Sequence, residues 1–213
     1  ESVLDPTRRY YFGESQGGTL GSTYMAISTD VVRGGLRVGG QPYSLLLNRS
    51  VDFLPFFAAL RVAYPDAVEE QLLVALAQMV WDRAEPDAFS SYTSTDLFAA
   101  TPQHHVLMQV AIGDHQVSTL GSHVMARAIG ASFVAPRTRD IWGITERQPG
   151  FEGSAIVEYD FGLPPEPITN IPMDKGDDPH GKLKSLPAAQ QQLATFFATG
   201  RVVQTCQGVC DPQ

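Results

Sequence analysis

Cysteine is scarce in this sequence, with only Cys206 and Cys210 in 213 residues, set as Cys-Gln-Gly-Val-Cys near the carboxyl end. With no third cysteine and no histidine at metal-ligand spacing, a zinc centre is not expected. A small disulfide loop is the preferred reading of the pair, and it favours an oxidising setting, secreted or periplasmic; two free thiols in a cytoplasmic chain is the alternative. Basic residues are also few, 15 against 23 acidic ones, and the net charge of -8 opposes binding to the phosphates of nucleic acid or of anionic membranes. No apolar run approaches the ~18 residues that span a bilayer. The longest helix-like stretch, residues 68–81, is interrupted by Glu69, Glu70, Gln71 and Gln78. Internal repeats and low-complexity stretches are lacking. An initiating Met is missing as well, and the start at Glu1 leads to the expectation that the chain is processed, truncated or cut from something longer.

What is present is an ordinary globular composition, 43% hydrophobic and 18% charged, in a chain long enough for one core with an insertion. Residues 8–12, Arg-Arg-Tyr-Tyr-Phe, form an aromatic strand running into Gly13, and residues 19–28 suit a buried helix directly after the turn. A second strand region, residues 36–47, is broken by Gly39, Gly40 and Pro42. Residues 51–102 are helical in pattern, with Val68, Leu72, Leu73, Ala75, Leu76, Met79 and Val80 at three and four residue intervals, as on an amphipathic or buried helix. The apolar run 106–112 ending in Gly113-Asp114 reads as a central parallel strand with a functional loop at its tip. A helix over 118–129, strands at 131–134 and 154–161, a Pro- and Asp-rich loop over 163–180, and a helix over 186–199 closed by Gly200 complete the chain.

This alternation predicts an α/β fold, a mostly parallel sheet with helices on both faces, and ligands at the carboxyl ends of its strands. Three segments are expected: residues 1–50 and 103–213 as the core, and 51–102 as a helical, cap-like insertion.

The segment Gly13-Glu14-Ser15-Gln16-Gly17-Gly18 matches Gly-x-Ser-x-Gly between a strand and a helix. A serine there projects its hydroxyl from a crowded turn, which asks for small residues at Gly13 and Gly17, and the helix amino terminus aims positive charge at a forming oxyanion. The hydroxyl needs a base, and the base needs a carboxylate to fix its tautomer. Asp114, at the tip of the apolar strand, is the preferred acid, although it also suits the cap of the next helix; Glu158 and Asp160 are poorer candidates. His180, in the loop before the last helix, is the preferred base. His104 and His105 stand at the wrong end of their strand, His123 sits inside a helix, and His115 is the rival.

These residues resemble the α/β-hydrolase superfamily over residues 8–200, with Pro179-His180-Gly181 and the helix after it similar to the carboxyl end of secreted or periplasmic bacterial members. The resemblance implies Ser15 as nucleophile, Asp114 as acid, His180 as base and the Gln16 backbone N–H as one oxyanion donor. It implies hydrolysis of a small-molecule carboxylic ester through an acyl-enzyme, with no metal or organic cofactor. Peptidase and thioesterase chemistry differ only in the pocket and stay open, as does a non-catalytic binding module of the same shape. Phe53, Phe56, Phe57, Met79 and Trp81 either line an acyl pocket or, as the preferred reading, form plain helix core. The family places several strands and a second oxyanion donor before the elbow, whereas about a dozen residues stand there here. The expectation is therefore that a second chain, a symmetry mate or a longer precursor completes the sheet.

Overall fold

Tyr10, Tyr11 and Phe12 favour extended backbone, and strand β1 runs Tyr10–Glu14 in the computed structural model of the chain, which describes residues 5 and 7–212. After the turn at Ser15 comes helix α1 (Gln16–Ile27), then β2 (Arg33–Arg37) and α2 (Tyr43–Asn48). Residues 51–102 hold α3 (Leu54–Ala63), α4 (Ala67–Trp81) and three short 3-10 turns, Val51–Phe53, Pro86–Ala88 and Ser90–Thr93. Strand β3 (His105–Ala111), α5 (Thr119–Ile129) and β4 (Ser132–Val134) follow. The remainder is β5 (Glu146–Arg147), β6 (Phe151–Glu152), β7 (Ala155–Tyr159), α6 (Pro187–Thr199) and β8 (Arg201–Val202).

Six strands form one sheet in the order β1-β2-β3-β7-β4-β5, every pairing parallel. A parallel sheet is stable only with both faces covered. Successive residues of β3 point to opposite faces. Val106, Met108 and Val110 pack with Met25 of α1 and with Met125, Ala126 and Ile129 of α5. Leu107 and Ala111 pack on the other side with Leu183 and with Ala189 and Phe196 of α6. The expected α/β fold with helices on both faces is what the chain adopts. Strands β6 and β8 pair antiparallel outside the main sheet, and two-residue strands of this kind carry no readable period.

Small residues let α1 approach the sheet. A side chain at Gly18 would meet the Arg37 carbonyl at 2.4 Å, and one at Gly21 would meet the Tyr11 ring at 2.4 Å. Helix α6 opens with Pro187 at its first position and closes on Gly200 at φ 76°, the left-handed cap that glycine adopts freely.

The helical insertion departs from its sequence pattern. In α4 the buried residues are Glu70 and Val74, while Val68, Leu72, Leu76, Met79 and Val80 are all more than half exposed. The periodic apolar stripe of α4 therefore faces outward, neither core nor the inward face of an amphipathic helix. Asp66 caps this helix by accepting from the backbone N–H groups of Val68 (2.8 Å) and Glu69 (3.2 Å). Cys206 and Cys210 are joined as a disulfide, with Cys210 buried under α6.

Candidate functional site

The register of the sheet assembles the site. Glu14 of β1 pairs with Arg37 of β2, which pairs with Gln109 of β3, so the turns that leave β1 and β3 emerge at one edge. Beneath them Arg37, 4% exposed, donates to Gln109 Oε1 at 2.9 and 3.1 Å and meets Glu14 at 3.3 Å. Gln109 in turn donates to the Ala189 carbonyl at 2.8 Å, tying the strand ends to α6.

Ser15 occupies the turn at φ 59°, ψ -122°, a backbone conformation that side chains other than glycine rarely adopt. Its N–H donates to the Arg37 carbonyl at 2.9 Å, and its carbonyl accepts from Thr19 N–H at 2.9 Å, so both neighbouring elements hold the strained residue in place. A side chain at Gly13 would lie 2.1 Å from the Gly17 carbonyl oxygen and 2.6 Å from the Tyr11 hydroxyl, which itself donates to that carbonyl at 2.7 Å. Position 17 is different, since an added Cβ would meet only the Tyr11 hydroxyl at 3.8 Å. Of the two glycines expected to be crowded, Gly13 is and Gly17 is not, and further crowding falls on Gly18 and Gly21. Gln16, as the first residue of α1, has no intrahelical acceptor for its N–H.

Asp114 follows β3, as expected, and is 2% exposed. Its Oδ1 accepts from the N–H groups of Gln116 (2.8 Å) and Val117 (2.9 Å), and both oxygens contact His180 Nδ1, at 3.0 and 2.8 Å. It is thus a turn cap and a histidine partner at once. Burial pushes its carboxyl above the usual range, against the pull of His180 and of those two N–H groups. For His180 burial acts downward, but the hydrogen bond and charge of Asp114, with Asp178 and Glu14 adding to them, raise its pKa above 6.5.

Asp178 is the residue that the sequence reading missed. Its Oδ1 accepts from the backbone N–H of His180 (3.0 Å) and of His115 (3.3 Å), and its Oδ2 from Gln116 Nε2 (2.9 Å). One carboxylate so fastens the histidine loop to the acid loop. The only signal was its place in Asp177-Asp178-Pro179-His180, two residues before the imidazole it fixes.

The other candidates lie elsewhere. His104 is buried at the start of β3 with Nε2 2.9 Å from the Ser28 carbonyl, and His105 opens β3. His123, in α5, contacts Glu158 of β7 at 2.6 Å, and Arg139 completes that pairing at 2.8 Å. His115 sits 3.3 Å from the Lys175 carbonyl. Asp160 accepts from Gly162 N–H beyond the end of β7.

A cavity of about 560 Å³ opens on Ser15. Its walls come from Gln16 and Thr19 of α1, from Tyr43, Leu46 and Leu47 of α2, from Asp52, Phe53, Phe56 and Trp81 of the insertion, and from Gln116 and Val117 beside Asp114. Phe57 borders a separate apolar cavity of about 260 Å³, and Met79 faces outward. Ser15 therefore shares its cavity with the residues whose N–H groups hold Asp114. No hydrogen bond joins Ser15 to His180 among the described residues.

No family model and no curated protein matches the chain. The backbone resembles that of a puromycin-hydrolyzing peptidase from Mycobacterium tuberculosis, at a TM-score of 0.50 and 14% sequence identity, over 98% of this chain and 24% of that one. The likeness is one of fold, and the chain spans about a quarter of that enzyme's length.

Proposed function

We propose that the chain is a serine hydrolase acting on carboxylic esters with an apolar acyl group. The observation that carries this reading is the buried Asp114–His180 pair, joined through Nδ1 at 2.8 Å, at the sheet edge where Ser15 rises. A carboxylate on Nδ1 leaves Nε2 as the basic nitrogen. Ser15 Oγ attacks the carbonyl carbon as its proton passes to His180 Nε2, and the Gln16 N–H donates to the oxyanion. Collapse expels the alcohol, which takes the proton back, and water repeats the sequence on the acyl-enzyme to release the acid. The strain at Ser15 supports the assignment, since backbone cost of this kind persists where a side chain must be displayed. The phenyl and indole walls of the cavity support an apolar acyl group over a charged one.

A fluorophosphonate probe should label the native chain at Ser15 and leave Ser15→Ala unlabelled, and p-nitrophenyl butyrate should give a burst of one equivalent per chain. Equal labelling of Ser15→Ala, or no label and no burst on a folded chain, would refute the proposal. The missing Ser15–His180 hydrogen bond favours the second reading, a binding module that keeps the hydrolase shape, and the same failed labelling would select it.

A further inference from the structure

Three carboxylates meet where α4 ends. Asp82, Glu85 and Asp87 each offer an oxygen, and these atoms lie within 4.8 Å of one another. None of the three pairs with a lysine, arginine or histidine among the described residues. Glu85 is 1% exposed, and its Oε2 is closed off from water without a hydrogen-bond partner among the described residues. Such an oxygen loses its hydration and gains nothing in return.

The groups around the cluster are neutral amides. Gln78 Nε2 donates to Glu85 Oε1 and to Asp82 Oδ1 (2.6 Å), while its Oε1 accepts from the Ser44 N–H at 2.9 Å, which fixes the end of the amide that faces the acids. Gln41 Nε2 donates to Asp87 Oδ1 at 3.1 Å. Each carboxylate has an oxygen supported by an amide, while no cationic side chain balances the cluster among the described residues and Glu85 keeps one buried oxygen without a partner.

We propose that Asp82, Glu85 and Asp87 hold a divalent cation of the calcium class. Hard oxygen donors suit Ca²⁺ and Mg²⁺ alike, so the number of protein ligands decides between them. Three carboxylate ligands within reach of one another suit Ca²⁺, which takes about six to eight oxygens, whereas Mg²⁺ keeps several of its waters and is usually held by one or two carboxylates. Asp87 is exposed and Asp82 half-buried, so water completes the coordination from the open side. The spacing, three acids within six residues after a helix, is visible in the sequence, but only the fold turns them toward one another.

The place of the cluster gives the ion a structural task. Trp81, next to Asp82, lines the Ser15 cavity, and Gln78 is tied to Ser44 on α2, which forms another part of that wall. A bound cation joins the end of α4 to the core beside the candidate site. This proposal stands apart from the hydrolase reading and is tested without activity.

The probe is Tb³⁺ added to the EDTA-treated and desalted chain, with emission excited through Trp81. We expect saturable one-to-one binding, displaced by Ca²⁺ and at least tenfold less effectively by Mg²⁺. Ca²⁺ at millimolar concentration should raise Tm by about 3 °C or more, as selective binding to the folded state requires. Glu85→Gln keeps the shape and removes one charge, and should weaken binding at least tenfold and abolish the Tm rise. Asp87→Asn, at an exposed position and with an oxygen kept for Gln41 Nε2, should weaken binding in the same direction. Absence of saturable Tb³⁺ or Ca²⁺ binding to the native chain, or unchanged affinity in both variants, overturns the assignment.

Discussion

Asp114 and His180 face each other at 2.8 Å with less than a tenth of either residue exposed, and the proton between them governs how the site should respond to pH. On the proposed reading only neutral His180 acts as a base, and its pKa is raised through Asp114. The acid limb of kcat/KM should therefore lie above the ordinary histidine value of about 6.5, with activity falling as pH drops through it. The stability contributed by the pair runs the other way: it is complete below about 6.5 and is lost as pH rises through the higher native value. Asp114→Asn should reduce kcat by about 10⁴-fold in a pH-rate series on p-nitrophenyl butyrate. A limb below 6.5 would contradict the assigned pairing.

Ser15 is strained, and the two smallest substitutions separate chemistry from conformation. Ser15→Ala and Ser15→Gly should both abolish turnover and labelling. Glycine relieves the positive φ, so Ser15→Gly should be the more stable variant by about 1 kcal/mol in urea unfolding. Gly13→Ala should cost most of the activity because of the 2.1 Å clash with the Gly17 carbonyl, while Gly17→Ala, with its nearest atom at 3.8 Å, should keep it.

On the proposed reading Asp178 acts through His180, as a positioning residue. Asp178→Asn keeps an oxygen acceptor and removes a charge that raises the His180 pKa, so the acid limb should shift downward with a modest loss of kcat. Asp178→Ala also deprives three donors of their acceptor, and kcat should fall about 10–100-fold further, on the scale of lost supporting contacts at such sites. A variant that changes stability alone, with the pH limb unmoved, would remove Asp178 from this role.

Glu158 makes a purely structural prediction. Burial raises its carboxyl, but His123 and Arg139 overcome that and hold it down at about 2. A depressed value stabilises the fold above the unfolded carboxylate value of about 4.3, and that stability is lost as pH falls from there toward 2. Arg139→Ala leaves the carboxylate buried with its charge less compensated and should cost about 3 kcal/mol at pH 7. In urea melts the gap between Arg139→Ala and the native chain should narrow at pH 3.

Much of the sheet was legible because its strands are aromatic or continuously apolar: residues 8–12 lie over β1, and 106–112 over β3, each within two residues of the observed ends. The strand-to-helix turn at Ser15 and the place of Asp114 just after β3 were equally plain, since spacing and strand context locate them. Side-chain partnerships were not. Asp178 fastens two loops 62 and 63 residues apart in the chain, a relation that no local pattern encodes. The stripe on α4 misled for a different reason. Periodicity shows that apolar residues share a face, but whether that face meets the sheet depends on how Gln78 and Glu70 anchor the opposite side. Phe53, Phe56 and Trp81 were preferred as helix core and instead border the cavity, a distinction set by how the insertion folds over α1.

The cavity beside Ser15 has a divided origin. The groups assigned to bond breaking come from turns at the tips of β1 and β3 and from the His180 loop, whereas most of the lining side chains belong to α2 and the insertion. On the proposed reading, chemistry and choice of substrate are thereby written in separate stretches of chain. Exchanging Phe53, Phe56 or Trp81 should alter which acyl groups are accepted and leave the Ser15, Asp114 and His180 turns intact, so the pocket can be varied without rebuilding the strand tips.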